Sequence, residues 1–227
     1  MRKSLQLAVV MVTWFLTCNG VLANPGDWAK YSPATRDFEV QMPAPVDSQV
    51  KEAAGLKSRF YKAMSGDRNY VISAITVGSD KQSFDGFVDG IKDSIKDEKA
   101  DIVSTTDATG AGWTGSLIEA RKGAMKFCYL VAHATEAPLG YTLVTNASST
   151  DSKSKEFLDS FVVHIPKPAA GDNTYGGLVD PQGAAATDTP FEEGRRVGYI
   201  VGLCLPIVLL VAFSIFLTKL IKGKKKK

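Results

Sequence analysis

From Val197 to Thr218 the chain runs for 22 residues without a charge, and this run constrains the fold more than any other feature. A helix crossing a hydrocarbon core of ~30 Å needs about 20 apolar residues, so the run is long enough to span a bilayer with some tilt. With the apolar stretch at the N-terminus and the lysines at the end, it predicts an exported domain, one membrane crossing and a short basic tail. Six lysines follow the run, Lys219, Lys222 and Lys224 to Lys227, whereas Arg195 and Arg196 precede it beside Glu192 and Glu193. Positive residues are retained on the cytoplasmic side. The C-terminus is therefore expected inside and everything before Arg195 outside, a single-pass type I arrangement. The tail Lys224, Lys225, Lys226 and Lys227 is a topology signal first. It is also suited to hold anionic lipid, at about 1 kcal/mol per lysine, and in a eukaryotic host Lys224 and Lys225 resemble a retrieval signal.

The N-terminus agrees with that orientation. Arg2 and Lys3 precede an apolar run of 13 residues from Leu5 to Thr17, too short for a comfortable permanent anchor. A positive start, a short apolar centre and the small-residue exit Val21-Leu22-Ala23 make a secretory signal peptide over residues 1–23. Lipidation at Cys18 and an uncleaved anchor are the alternatives. Phe15-Leu16-Thr17 lacks the small residue expected before a lipidated cysteine.

Between Asn24 and Gly194 there are 17 Lys and Arg against 24 Asp and Glu, a net of −7. The overall +3 thus hides an acidic domain between basic ends. Phosphate backbones need a basic surface, so nucleic acid is not expected as a partner. A basic protein or a cation suits the acidic domain better. Cys18 leaves with the signal and Cys204 lies in the uncharged run, which leaves Cys128 alone in the domain, with no internal disulfide to form. Its setting, Lys126-Phe127-Cys128-Tyr129-Leu130-Val131, is that of a buried strand residue.

Residues 24–166 are the right length for one extracytoplasmic domain. Phe38 to Met42 alternates apolar and polar up to Pro43, which predicts a half-buried strand. Leu56 to Met64 and Tyr70 to Val77 predict a hairpin joined through Ser65-Gly66-Asp67-Arg68-Asn69. Phe84, Phe87, Val88, Ile91 and Ile95 follow helical spacing, with Ser83 as the expected cap. Further strands are expected at Ile102–Thr106, Leu117–Ala120, Phe127–Ala132 and Tyr141–Thr145, and a last helix at Ser154–Val163. Three strands, a helix, four strands and a helix, with hairpin-length links, predict an α+β domain with an antiparallel sheet flanked by helices. Residues 167–194 turn to alanine, glycine, proline and polar residues. They are predicted to be a flexible tether of about 30 Å reach, leading into a transmembrane helix over 195–218 and a basic cytoplasmic tail over 219–227.

Two surfaces stand out as candidate contacts. Asp85, Asp89, Asp93 and Asp97 recur every four residues along the first helix, a solvated face or a site for a cation or a basic partner. Gly194, Gly198 and Gly202 share one face of the C-terminal helix, where small residues let helix backbones approach and favour a homodimer. Pro206 is expected to bend that helix further along. No catalytic, metal or cofactor motif is assigned. Gly110-Ala111-Gly112-Trp113-Thr114-Gly115 matches a dinucleotide fingerprint, but the following segment is too short for a crossover helix, so a hairpin loop is expected. His133 and His164 are the only histidines, expected at a strand end and a helix end. Either is a candidate general base for an extracytoplasmic hydrolase-like enzyme. Asn146-Ala147-Ser148 is a glycosylation sequon in a eukaryotic host.

Phe38-x-Val40-x-Met42-Pro43 with Pro45-Val46, the strand–helix–strand order and the closing Phe157-Leu158-Asp159-Ser160-Phe161 together resemble the PsbP-like fold. The resemblance spans Phe38 to Pro166. It implies an α/β/α sandwich in a protein that binds other proteins or acts in assembly, and it carries no site residue onto this chain. The photosynthetic members are soluble extrinsic subunits, and this chain departs from them in its C-terminal apolar run. The leading expectation is a non-catalytic, membrane-tethered binding or assembly module. The alternatives are the enzyme using His133 or His164 and a structural subunit of a membrane complex.

Overall fold

The computed structural model describes residues 27–53, 56–164, 189–199 and 201–202. The expected signal peptide, the basic tail, all but the end of the expected tether and most of the uncharged run lie outside the described residues.

Among the described residues ten strands and three helices follow in chain order. Strands β1 (Trp28–Tyr31), β2 (Phe38–Pro43), β3 (Asp47–Ala53), β4 (Leu56–Ser65) and β5 (Arg68–Thr76) precede helix α1 (Lys81–Asp97). Strands β6 (Asp101–Gly110), β7 (Trp113–Lys122), β8 (Met125–Ala134) and β9 (Leu139–Thr145) lead to helix α2 (Ser152–Asp159) and the short strand β10 (Val162–Val163). Helix α3 covers 190–199 and continues at 201–202. Seven strands form one sheet in the order β3-β4-β5-β9-β8-β7-β6, every neighbour antiparallel. A small sheet, β1-β2-β10, lies apart from it.

Successive side chains of a strand point to opposite faces, and here each face of the large sheet has its own core. Tyr70, Ile72 and Ala74 of β5, with Leu130 of β8 and Tyr141 of β9, join Phe38, Val40 and Met42 of the small sheet and Phe157 of α2. Val71 and Ile75, with Val131 and Val144, pack under Phe87, Ile91 and Ile95 of α1. The central strands are thus buried on both sides. That is why Leu139–Thr145 is buried throughout and reads as a continuous apolar run. Between the sheets, Arg59 Nη2 donates to Asp37 Oδ2 at 2.9 Å, and Tyr141 OH donates to the same oxygen at 3.2 Å.

The antiparallel α+β architecture agrees with the sequence expectation, and three details differ. Five strands precede α1, because β1 is only four residues long and β3, Asp-Ser-Gln-Val-Lys-Glu-Ala, is an edge strand with little apolar periodicity to show. The cap of α1 is Asp80, whose carboxylate accepts from the Ser83 N–H at 2.8 Å and from its hydroxyl at 2.6 Å. Helix α2 ends at Asp159, short of the expected Val163, because the Gln41 N–H donates to Ser160 Oγ at 2.8 Å and Val162 and Val163 pair with β2.

Candidate functional site

Helix α1 carries more than an apolar face. Gly86, Gly90 and Ser94 recur every four residues beside it, and α3 lies along them. Ser83 faces Gly194, Phe87 faces Gly198, and Ser94 faces Gly202, so the two helices run in the same direction. The contact is backbone to backbone. A Cβ built on Gly86 would lie 2.8 Å from Arg195 N, one on Gly90 2.5 Å from Tyr199 N, and one on Gly198 2.8 Å from the carbonyl carbon of Phe87. Real side-chain carbons do not sit that close, so glycine is required at these positions for this approach. Val197 and Val201 then enter the core under α1.

In the structure Gly194, Gly198 and Gly202 of α3 lie against α1 of the same chain. Residues 190–194, the end of the segment whose composition predicts a flexible tether, are helical. The physical reason is the glycine face of α1, which gives a weakly apolar segment a surface to bury against.

A charged flank borders the glycine seam. Arg195 Nε donates to Asp93 Oδ2 at 2.9 Å, and Tyr199 OH donates to Asp97 Oδ2 at 2.8 Å. Lys96 Nζ stands 3.8 Å from Asp93, and Arg195 Nη1 stands 3.8 Å from Glu192. Together with Arg196 these groups line an open cleft of about 450 Å³ between α1 and α3.

The acidic stripe is divided by this arrangement. Asp85 pairs with Lys81 at 2.6 Å and Asp89 with Lys92 at 3.0 Å, both within α1, whereas Asp93 and Asp97 face α3. The remaining candidates lie elsewhere. His133, in β8, stacks on Phe84 with ring centroids 5.1 Å apart, and burial holds its pKa below the usual histidine value. His164 follows β10, not a helix, with Nε2 3.2 Å from the Glu39 carboxylate. Lys30, more than His164, holds the Glu39 carboxyl below its usual range. Neither histidine lines the cleft. Among the described residues no group of three or more His, Cys, Asp and Glu is placed to hold a metal ion.

Cys128 is fully buried, and burial pushes its thiol up to about 12. Gly110 to Trp113 form the turn of the β6–β7 hairpin, with Gly112 at φ +80, so the fingerprint is a turn and not a strand-to-helix loop. Asn146 is a structural residue: its Oδ1 accepts from the Asn69 N–H at 2.7 Å and its Nδ2 donates to Asp67 O at 3.0 Å, fastening the β4–β5 turn. Lys224 to Lys227 lie outside the described residues. Among the described residues no helix is long and apolar enough to cross a membrane.

Sequence reasoning singled out Gly194, Gly198 and Gly202 as a seam between two copies and did not bring α1 to them. Gly86, Gly90 and Ser94 repeat at the same interval as Gly194, Gly198 and Gly202, and that shared interval was the available signal.

No family model matches the chain, and no curated protein matches it in sequence. Among solved structures, the fold is similar to the solution structure of cyanobacterial PsbP from Synechocystis sp. PCC 6803. The identity is 17% and the TM-score 0.45, over 65% of this chain and 98% of that one. A crystal structure from Bacteroides thetaiotaomicron VPI-5482 is similar at 13% identity and a TM-score of 0.34, over 61% of this chain and 50% of that one. The first of these carries the name of the family that the motifs around Phe38 and Phe157 resemble.

Proposed function

We propose that this chain is a non-catalytic, membrane-tethered extracytoplasmic module that binds or helps assemble other proteins. The observation that carries the reading is the seating of α3 on α1. The segment leading into the uncharged run of Val197–Thr218 is packed against the folded domain, which suits a domain presented close to the bilayer at a set attitude. The acidic balance of −7 between Asn24 and Gly194 suits a basic protein partner. Asp85 and Asp89 are the members of the stripe that α3 leaves for such a partner.

The test is a crosslinked pull-down of the intact protein from its membrane, run beside an Asp85→Lys, Asp89→Lys variant. Capture of a defined partner should fall in the variant, and the difference should shrink as salt screens the charges. Capture that ignores the charge reversal, together with a substrate turnover that disappears in His133→Ala, would favour the enzyme reading. Protease added to spheroplasts should digest the domain and spare the tail; a protected domain would overturn the orientation.

A further inference from the structure

The cleft between α1 and α3 has charges left over on both signs. Asp93 is engaged by Arg195 Nε at 2.9 Å. Arg196 has no hydrogen bond or ion pair among the described residues. Lys96 stands 3.8 Å from its nearest carboxylate, beyond hydrogen-bond reach. On the acidic side, Asp97 accepts one bond, from Tyr199 OH, and a carboxylate has about four acceptor positions. The cation nearest Glu192 is 3.8 Å away. A plain anion entering the cleft would meet three carboxylates, and a plain cation would meet three cations. A ligand that carries both charges a few bonds apart satisfies the two sets at once.

Position narrows the source of such a ligand. Arg195, Arg196 and Tyr199 stand at the head of the uncharged run that starts at Val197. Tyrosine and arginine at the start of an apolar span are where lipid headgroups lie. We propose that the cleft holds the headgroup of a zwitterionic aminophospholipid. The phosphate lies toward Arg196 and Lys96, and the primary ammonium lies toward Asp97, Glu192 and the ring of Tyr199, whose face attracts a cation. A trimethylammonium head has no N–H to donate to those carboxylates, so an ethanolamine head is held better than a choline head. This inference rests on the membrane-tethered reading.

The full chain is placed in phosphatidylcholine nanodiscs doped with photoactivatable phosphatidylethanolamine or, in parallel, photoactivatable phosphatidylglycerol. Phosphatidylethanolamine should label peptides of α1 and α3 in preference to phosphatidylglycerol. Arg196→Ala should lower that labelling roughly fivefold, the effect of one basic residue near a lipid surface. Asp97→Asn should lower phosphatidylethanolamine labelling and leave phosphatidylglycerol labelling unchanged or raised. Both residues are exposed, and circular dichroism checks that the variants fold. Equal labelling by the two lipids, or labelling indifferent to Arg196→Ala, would overturn the proposal. Competition by inorganic phosphate as strong as by soluble phosphoethanolamine would overturn it too, by showing a simple anion site. Soluble phosphoethanolamine that binds while the lipid does not label would assign a soluble ligand instead. Carbonate extraction separates the two readings. A chain that resists extraction but shows no headgroup preference sinks the headgroup alone, whereas an extracted chain sinks both.

Discussion

Asp37 gathers three side chains at a point that solvent does not reach. Arg59 and Tyr141 donate to one of its oxygens and Thr35 to the other, with the Asp37 side chain only 2% exposed. Replacing one partner of a buried ion pair strands the other charge, which costs ~3–5 kcal/mol. Asp37→Ala should therefore lose about that much in denaturant unfolding, and a change under about 1 kcal/mol would show that water already reaches Arg59. Nothing in the local sequence marks this node. Arg59 lies in a strand where a charged residue ordinarily faces water, and its partner is 22 residues away. Cys128 was legible, because its apolar neighbours on β8 fix its burial. His133 was only partly so: its place in a strand was readable, but not its stacking on Phe84. Burial lowers the folded pKa of His133, against the opposing effects of the Gly78 carbonyl and the Asp80 charge. With the folded pKa below the unfolded value of about 6.5, the unfolded chain binds protons first. Stability is then full above that pH and falls as the pH drops toward the folded pKa. His133→Phe keeps an aromatic ring against Phe84 without a titrating group, and should flatten this loss in urea midpoints measured between neutral and mildly acidic pH.

At the scale of elements, one glycine face has two possible uses and can serve only one at a time. Gly194, Gly198 and Gly202 are covered by α1 in the structure, and the same face is the natural seam for a homodimer of C-terminal helices. Substitutions on the two helices separate the uses. Gly86→Leu fills the seat on α1 and leaves α3 intact, so it should release α3 and raise crosslinked dimer in the membrane. Gly198→Leu blocks both contacts, so it should release α3 without raising dimer. Dimer unchanged by Gly86→Leu would mean that the face of α3 has no use in trans. The stripe on α3 was readable because Gly194, Gly198 and Gly202 make an uninterrupted run of glycines at one four-residue interval. The stripe on α1 was hidden beside Phe84, Phe87, Val88, Ile91 and Ile95, whose stronger periodicity explains the helix without it. Strands followed a similar logic. Strands β4, β5, β8 and β9 were readable from alternation or apolar runs, and the solvated edge β3 was not. The bulge between Ile102 and Ser104 in the opposite edge strand, β6, twists an exposed edge and left no trace in the spacing of residues.

For the whole molecule, the seating of α3 conflicts with the length of the uncharged run. Taken as a helix at 1.5 Å per residue, the 22 residues from Val197 to Thr218 measure about 33 Å. If residues up to Gly202 stay on α1, 16 uncharged residues remain from Leu203, or about 24 Å. A bilayer core of ~30 Å lies between those lengths. Under the membrane-tethered reading, docking on the domain and immersion in lipid therefore compete for the same six residues, 197–202. Val197 and Val201 gain burial either way, in the core under α1 or in hydrocarbon, so the choice falls to the glycine seam and to mismatch, which costs fractions of a kcal/mol per Å. Arg195–Asp93 and Tyr199–Asp97 hold the docked state, since both bonds are lost if α3 slides into lipid. Bilayer thickness should then set the position of α3. In short-chain lipid, amide hydrogen exchange across 190–199 should be slow and should quicken in Gly90→Leu, which cannot dock. In long-chain lipid the wild-type α3 should leave its seat, and exchange should rise in α1, whose face of Gly86, Gly90 and Ser94 becomes exposed to water. Exchange in α1 that is the same in thin and thick bilayers, with α3 protected in both, would mean that the docked helix never enters the membrane and that the anchor begins beyond Gly202.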